Sequence, residues 1–358
     1  MKVLLSERTL DGHRKTYMEW LAQIHEMEFY VLAPVNRGID VEHFIEIERA
    51  GSLKSPKAYF KWIRQMRESV RRYQIDTVHI LDGDSIMRWF GIGLGSIRAK
   101  RLVITYHHFF PGILRKLSYR MMCRGMSRLC VAHTVSVEQA LRQYGVKRVE
   151  LCEYPSFHFE RIAKLDSTVC KANWKLPIEI PTIGIIGGMC TYKNIVPFLE
   201  IMQACVSDFH LLICGDSGGI SESEIRMATA PYSSRTTIKI RRLSEKEYED
   251  AIGASDIIFC VYGHDFDGAS GPLTDGVCAK KMILSCRHGS LGAIVTNYSL
   301  GLTAESSDRE DMLRQTEKAL SIVREFTYND AALRYRERLR PLRFQETYEN
   351  IYRGYAAK

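Results

Sequence analysis

The chain has 358 residues, of which 46% are hydrophobic, and a formal net charge of +8 at pH 7; this length and composition suit two globular domains. No stretch approaches the ~18 uninterrupted apolar residues of a membrane span, and the N-terminus becomes charged too early for the apolar core of a signal peptide. The ten cysteines form no C-x-x-C pair, so we expect reduced, mostly buried thiols in a cytoplasmic protein.

Short apolar runs alternate with helical patterns through the first part of the chain. The sequence predicts strands at 2–5, 29–32, 77–81, 102–106 and 129–133, and helices at 13–24 and 56–73. Buried strands separated by helices are typical of a parallel sheet that is covered on both faces. We therefore predict a first Rossmann-like domain over residues 1–155.

The stretch 155–181 interrupts this alternation, because it is polar, contains three prolines and lacks a clean periodicity. We interpret it as an interdomain connection. The alternation then restarts, with strands predicted at 183–186, 210–214, 237–240, 257–261 and 282–286, helices at 195–205, 245–254, 272–279 and 308–323, and a helical tail at 331–355. The prediction is an α/β fold in which two Rossmann-like domains face each other across a cleft, the second over residues 156–340, with ligands at the carboxyl ends of the strands.

The loop from Asp267 to Asp275 has the composition of a phosphate site. Pro272 suits the first position of a helix, and the helix dipole favours an anion at that end. Capping groups and free N–H groups are expected at Ser270, Gly271, Leu273 and Thr274. The carboxylates of Asp267 and Asp275 can accept hydrogen bonds from sugar and ribose hydroxyls. The alternative is an ordinary turn with an acid that complements the helix dipole.

Three further loops follow predicted strands. Gly187 and Gly188 would let a ligand approach the backbone, and Lys193 at the end of that loop can bind a diphosphate; a tight turn with a solvated lysine is the alternative. Gly12, beside His13 at the start of the first helix, is a weak anion or acceptor signal. His107 and His108 follow a strand and are expected at its carboxyl end, although a histidine there is often structural.

Basic residues concentrate between residues 98 and 148. Those at a spacing suited to one helix surface are Arg115, Lys116, Arg120, Arg124 and Arg128, the last four at intervals of four residues. Apolar side chains lie beside them. This pattern fits contact with an anionic membrane or a phosphorylated acceptor. A solvated helix face is the alternative, and nucleic acid is a third reading that no recognition motif supports.

Taken together, these loops resemble the retaining glycosyltransferases of the GT-B fold, in particular family 4. Asp267 and Asp275 have the spacing of that family's E-x7-E pair, with Asp in place of both Glu. Lys193 matches the lysine of its phosphate loop, and Gly188 stands where the family has arginine. Other matched positions are His107 on the active-site histidine, Asp216 after the strand ending in G-x-G, Arg242 in the base-binding loop, Gly268 within the acidic motif, and 344–352 on the terminal helix.

The resemblance implies a metal-independent, retaining hexosyl transfer from a nucleotide-diphosphate-sugar to a glycan or lipid-linked acceptor, in polysaccharide or glycolipid biosynthesis, without a cofactor. The second domain would bind the donor, and about 341–358 would return to the first domain. The expected catalytic residues are His107, Asp267 and Lys193. The expected donor-binding residues are Gly187, Gly188, Lys193, Asp216, Arg242, Gly268, Ser270, Gly271, Leu273, Thr274 and Asp275. The expected acceptor contacts are Gly12, His13 and His108.

Within that expectation, Asp275 would hold the ribose, Asp267 a sugar hydroxyl, and His107 the donor sugar from the opposite domain. The enzyme would be cytoplasmic, with peripheral contact to the inner face of an anionic membrane. Three alternatives stay open: a non-catalytic sugar- or partner-binding relative, a GT-B nucleotide-sugar epimerase or sugar phosphorylase, and a transferase that acts on DNA.

Overall fold

The structure, a computed structural model, describes residues 1–10, 13–47, 53–125 and 127–354, without the side chain of His13. The described residues fall into two compact units, Met1–Phe157 with Pro341–Lys358, and His158–Arg340. Their strands are β1 Lys2–Ser6, β2 Glu28–Ala33, β3 His43–Glu46, β4 Thr77–Ile80, β5 Arg101–Tyr106, β6 Arg128–Ala132, β7 Val149–Leu151, β8 Thr182–Ile186, β9 Met189–Cys190, β10 His210–Gly215, β11 Ser217–Gly218, β12 Thr236–Ile240, β13 Ile257–Cys260, β14 Met282–Cys286 and β15 Gly301–Ala304.

The helices lie between the strands, as expected for covered parallel sheets. They are α1 His13–Ala22, α2 Pro56–Tyr73, α3 Ile113–Met122, α4 Val135–Gln143, α5 Phe159–Ile162, α6 Ser167–Asn173, α7 Ile195–Ile201, α8 Glu222–Thr229, α9 Glu245–Ala254, α10 Gly271–Cys278, α11 Gly289–Asn297, α12 Arg309–Ile322, α13 Asp330–Arg338 and α14 Pro341–Arg353. Short 3₁₀ turns add Asp84–Trp89, Leu94–Ser96, Thr191–Lys193, Met202–Ala204 and Ala230–Arg235.

Each unit is built around one parallel sheet. In the described residues, the first unit's sheet has the strand order β3-β2-β1-β4-β5-β6-β7, and the second unit's has β12-β10-β8-β13-β14-β15. The strand order reverses between β1 and β4 in the first sheet and between β8 and β13 in the second. Ligands of open α/β sheets bind at the carboxyl ends of the strands beside such a reversal. The expected α/β fold class, with two Rossmann-like sheets, is confirmed.

The C-terminal helix α14 packs into the first unit's core. Phe344, Tyr348 and Tyr352 are buried there. The Tyr348 hydroxyl lies 2.5 Å from the Tyr17 hydroxyl, and the Tyr352 hydroxyl lies 2.7 Å from Nδ1 of His79. These hydrogen bonds satisfy polar groups that burial would otherwise penalise, so helix α14 completes the first unit.

The structure corrects the interpretation of 155–181 as a plain connection. Most of this stretch belongs to the second unit and contains helices α5 and α6. Asp166 caps α6 by accepting from the N–H groups of Thr168 and Val169. Nζ of Lys171 lies 2.8 Å from a carboxylate oxygen of Asp256, which fixes α6 to the residue before β13. The polar composition therefore reflects capping and ion pairing.

The expected basic ridge is also wrong, and the expectation about the cysteines fails for one pair. Helix α3 ends at Met122, so Arg124 follows the helix and Arg128 opens strand β6. The ridge of four residues is therefore not continuous. Cys123 and Cys130 form a disulfide, so the expectation of reduced thiols is wrong for this pair. The other eight cysteines are free, and seven of them are buried, as expected.

Candidate functional site

The loops that follow β8 and β13 meet at the carboxyl edge of the second sheet. Gly187 follows β8 with φ +93°, and a Cβ placed on it would lie 3.3 Å from Nζ of Lys193 and 3.6 Å from Cγ of Pro272. Three of the positions selected from the sequence are thus brought together. Gly215 closes the other side of the loop, because a Cβ there would lie 2.1 Å from the Gly187 carbonyl oxygen. Both positions have a positive φ that favours glycine, and Gly215 also has no space for a Cβ.

Lys193 is a buried lysine at this edge. Its ammonium donates to the Ile186 carbonyl oxygen at 3.1 Å and lies 5.7 Å from the centroid of the Tyr262 ring. Burial lowers the pKa of Lys193 below its usual value. An ammonium has three donors, and the carbonyl bond uses one. A buried ammonium of this kind is suited to an anionic ligand that enters beside Gly187.

The start of helix α10 lies beside Lys193. Ser270 is the N-cap residue, but its hydroxyl lies 3.0 Å from the Tyr262 hydroxyl and does not cap the helix. The Thr274 N–H donates to the Ser270 carbonyl at 3.0 Å, which is the first helical hydrogen bond. The N–H group of Thr274 is therefore used inside the helix. The N–H groups of Gly271 and Leu273, the other two expected backbone donors, come before this first helical hydrogen bond. A Cβ on Gly271 would meet nothing within 4 Å in the described residues, so this end of the helix is open.

The two carboxylates of the acidic pair are held by different helices. One carboxylate oxygen of Asp267 accepts from the Ser290 N–H at 2.9 Å and from its hydroxyl at 2.5 Å, which ties Asp267 to the start of α11. Asp275 is buried and accepts from the Tyr248 hydroxyl of α9 at 2.6 Å. Ser290 and Tyr248 were missed from the sequence, because nothing in the spacing links them to the acidic motif.

The remaining donor-site candidates lie along the same edge. Asp216 follows β10 and Arg242 follows β12, and both are exposed. Gly268 is buried before α10, and Gly188 accepts from the Cys190 N–H at 2.9 Å. The exposed pair is therefore available to a ligand, and the two glycines shape the backbone.

In the first unit, the predicted histidines lie at the end of β5. Nε2 of His107 lies 2.8 Å from the Leu81 carbonyl oxygen, so this nitrogen carries the proton in neutral His107. The backbone N–H groups of His107 and His108 both donate to Asp84 at 3.1 Å. Burial lowers the pKa of His107. Gly12 lies outside the described residues, as does the side chain of His13.

A buried charge cluster at the carboxyl ends of β1 and β4 was missed from the sequence. The Arg14 guanidinium donates to Glu7 at 2.7 Å and to Asp82 at 2.8 Å, and Arg8 donates to Asp82 at 2.6 Å. Burial raises the pKa of Glu7 to about 7 despite the Arg14 charge. Burial and the neighbouring Asp82 carboxylate likewise raise the pKa of Asp84. Such a group of charges is typical of a polar ligand site or a structural ion-pair network.

Helix α3 exposes apolar and basic side chains together. Ile113 and Leu114 are 87% and 69% exposed, and Leu117 and Met121 are also exposed. The basic residues exposed on or directly after the helix are Arg115, Lys116, Arg120 and Arg124. Arg128 instead donates to the Met121 and Met122 carbonyls at 3.0 Å and closes the C-terminal end of the helix. In the part of the chain that the structure describes, no helix is long and apolar enough to cross a membrane.

No protein-family model and no curated protein matches the sequence. Solved structures do match it over nearly its whole length. A glycosyltransferase from Rickettsia africae ESF-5 has a TM-score of 0.77 at 17% identity, covering 99% of this chain and 98% of that one. Sucrose-phosphate synthase from Thermosynechococcus elongatus has a TM-score of 0.77 at 14% identity, with coverages of 99% and 98%. Anabaena HepE in complex with UDP-glucose has a TM-score of 0.73 at 12% identity, with coverages of 98% and 99%.

These similarities extend through both units. At such identities they show a shared fold, and the GT-B fold expected from the sequence motifs is confirmed. Fold alone does not fix chemistry. The chemistry depends on the groups assembled at the edge of the second sheet.

Proposed function

We propose that this chain is a glycosyltransferase that moves a hexosyl group from a nucleotide-diphosphate-sugar onto an acceptor. The observation that carries the proposal is the meeting of Gly187, Lys193 and Pro272 at the strand-order reversal of the second sheet. A buried ammonium, a glycine that admits a ligand and an open helix start all favour an anionic group at one place. A diphosphate is an anion of this kind, and HepE structures have been solved with UDP and with UDP-glucose.

In the proposed reaction, the bond between the anomeric carbon and the phosphate oxygen breaks as the acceptor oxygen attacks from the same face. The leaving phosphate takes the acceptor's proton, so the anomeric configuration is retained and no metal is required. Lys193 and the N–H groups of Gly271 and Leu273 stabilise the negative charge that develops on the phosphate. Asp275 is proposed to hold the ribose, and Asp267 a hydroxyl of the sugar.

The acceptor is proposed to be a glycan or a lipid-linked molecule. The cluster of Glu7, Arg14 and Asp82 supplies hydrogen-bonding groups at the carboxyl ends of β1 and β4. His107 and His108 lie at the end of β5, near that cluster in the strand order. A charged site of this kind favours a hydroxyl-rich or phosphorylated acceptor over an apolar one.

The first test is a thermal-shift panel of UDP, GDP, ADP, CMP, TDP and their common sugar conjugates. One nucleotide family should raise the melting temperature, because a ligand that binds only the folded state stabilises it, by about 2.7 kcal/mol at roughly 100-fold excess over Kd. The shift should disappear in Asp275→Asn and persist in Asp308→Asn, which removes a carboxylate from the cap of α12. A wild-type chain that responds to no nucleotide would contradict the proposed donor site.

Turnover separates the remaining alternatives. Transfer to a glycan or lipid fraction, with product of the donor's anomeric configuration by NMR, supports the proposal. Donor binding without turnover would indicate a non-catalytic relative, and conversion of the donor without an acceptor would indicate an epimerase. A requirement for inorganic phosphate would indicate a phosphorylase, and salt-sensitive transfer to duplex DNA would indicate a DNA acceptor.

We also propose that helix α3 binds an anionic membrane surface, at the inner face for a cytoplasmic enzyme. Exposed apolar side chains beside basic ones are typical of helices that lie in the membrane interface. The exposed pair Ile113 and Leu114 supplies the apolar part, and Lys116 and Arg120 supply the charge.

The double variant Ile113→Ser/Leu114→Ser should bind vesicles of anionic phospholipid at least about tenfold more weakly than wild type, because each buried Leu or Ile contributes roughly 1.5–3 kcal/mol. Val206→Ser is the matched control, since Val206 is 89% exposed in the other unit. Co-sedimentation with anionic and zwitterionic vesicles measures the effect. Equal binding of the double variant and wild type would refute a role of α3.

A further inference from the structure

Three potential metal ligands converge at the carboxyl ends of adjacent strands in the second unit. His264 follows β13, His288 follows β14 and Glu305 follows β15. Within the described residues, one ligand atom from each of the three lies within 4.8 Å of the other two. Each comes from a different strand-to-helix loop, so the sheet itself sets their positions.

The side chains already contact one another. Nε2 of His264 lies 3.0 Å from a carboxylate oxygen of Glu305, and the rings of His264 and His288 stack with centroids 3.8 Å apart. The Ser307 hydroxyl donates to the same Glu305 oxygen at 3.0 Å. A hydrogen bond from a neighbouring residue to a ligating carboxylate is a usual feature of metal sites, because it fixes the orientation of the ligand.

His288 provides the second observation. Both of its ring nitrogens are buried and lack a hydrogen-bond partner in the part of the chain that the structure describes. Leaving a buried polar atom unsatisfied costs roughly 1–3 kcal/mol, and such atoms in folded proteins usually have a partner or bind an ion or water. A metal ion held by one ring nitrogen would give that nitrogen a partner.

We propose that His264, His288 and Glu305 bind a divalent transition metal, with Zn²⁺ as the expected ion. Two imidazoles and one carboxylate are a ligand set that Zn²⁺ uses, with bonds of about 2.0–2.2 Å and a water in the fourth position. Ligand atoms on one such ion lie no more than about 4.4 Å apart. The two stacked rings must also rotate on binding, because an imidazole nitrogen binds a metal ion in the plane of its ring.

The consequence of binding is a fixed loop around Asp267. His264 precedes Asp267 in the β13–α10 loop, and His288 is the N-cap residue of α11, whose Ser290 holds the Asp267 carboxylate. An ion on both histidines would join these two loops and fix the position of Asp267. The proposed metal site does not include Lys193 and does not depend on the proposed sugar transfer.

The test is calorimetric titration of ZnCl₂ into full-length protein that has been stripped of metal with EDTA. Wild type should bind one ion, and His264→Ala, His288→Ala and Glu305→Gln should each weaken binding by at least about tenfold. His43→Ala is the matched control, because His43 is a histidine 3.2 Å from the carboxylate of Glu28 in the first unit, and it should bind as wild type does.

Two further measurements separate a loss of metal binding from misfolding and from binding at a cysteine site. Circular dichroism and thermal unfolding without metal should be the same for His264→Ala as for wild type, because His264 is exposed. The absorption spectrum of the Co²⁺-loaded protein should show nitrogen and oxygen ligands. Wild type that binds no ion, variants that bind as wild type does, or a cobalt–thiolate band that identifies a cysteine site would overturn the proposal.

Discussion

Lys193→Met should lower turnover by about 100- to 1,000-fold, the usual effect of removing one preorganised group that stabilises transition-state charge. The same variant should keep or increase the free energy of unfolding. Methionine preserves the length of the side chain while it removes a buried charge, and the ammonium has one carbonyl partner among the described residues. Steady-state turnover and urea unfolding of the purified variant measure the two effects.

The control is Lys318→Met, which removes an exposed lysine on α12 of the same unit. It should change neither turnover nor stability by more than a small factor. A Lys193→Met protein that is folded and has near wild-type turnover would remove Lys193 from the proposed mechanism. Loss of stability together with activity would instead indicate a structural role.

Replacing His79 with glutamine should remove about 2 kcal/mol of the pH dependence of stability between pH 7 and pH 5. His79 is buried, with Nε2 2.8 Å from the Thr105 hydroxyl and Nδ1 2.7 Å from the Tyr352 hydroxyl. Burial lowers the pKa of His79 to about 3. Its contribution to stability is therefore present above the unfolded value of about 6.5 and is lost as the pH falls towards 3.

The measurement is urea unfolding of wild type and His79→Gln at both pH values. Wild type must be compared with His79→Gln because Glu7, whose pKa is raised to about 7, makes stability depend on pH in the opposite direction. Its contribution is present below the unfolded value of about 4.3 and is lost as the pH rises through 7. His25→Gln, at an exposed position, should show the wild-type pH dependence. The same pH dependence in wild type and His79→Gln would show that His79 accepts a proton in the fold.

The sequence predicts elements best where local chemistry sets their ends. Helix α9 has the predicted bounds, and its start is set by the capping box that Ser244 and Glu247 form. Helix α2 also has the predicted bounds, with Pro56 in its first turn. Gly187 and Lys193 were selected from one loop and Pro272 from another, and parallel strands bring such loops to one edge of a sheet.

Contacts between distant loops could not be predicted in this way. Ser290 holds Asp267, Tyr248 holds Asp275, and the charge cluster of Glu7 and Asp82 forms only when β1 and β4 lie side by side. The same limit applies to the three potential metal ligands, whose sequence spacing matches no known metal motif. The predicted ridge to Arg128 is wrong because the spacing of the basic residues continues past the end of the helix. Helix α3 ends at Met122, and Gly125 then has a φ of +114°, which is not helical.

The central claim is that Lys193 binds a diphosphate, and a calorimetric titration of a nucleoside diphosphate and its parent nucleoside tests it most directly. The nucleotide is the one that gives the largest thermal shift. Lys193→Met should bind the diphosphate about 10- to 150-fold more weakly than wild type does, because a hydrogen bond to a charged group contributes roughly 1.5–3 kcal/mol. Its affinity for the nucleoside should equal that of wild type. Equal affinity of wild type and Lys193→Met for the diphosphate, or an equal loss for both ligands, would contradict the account.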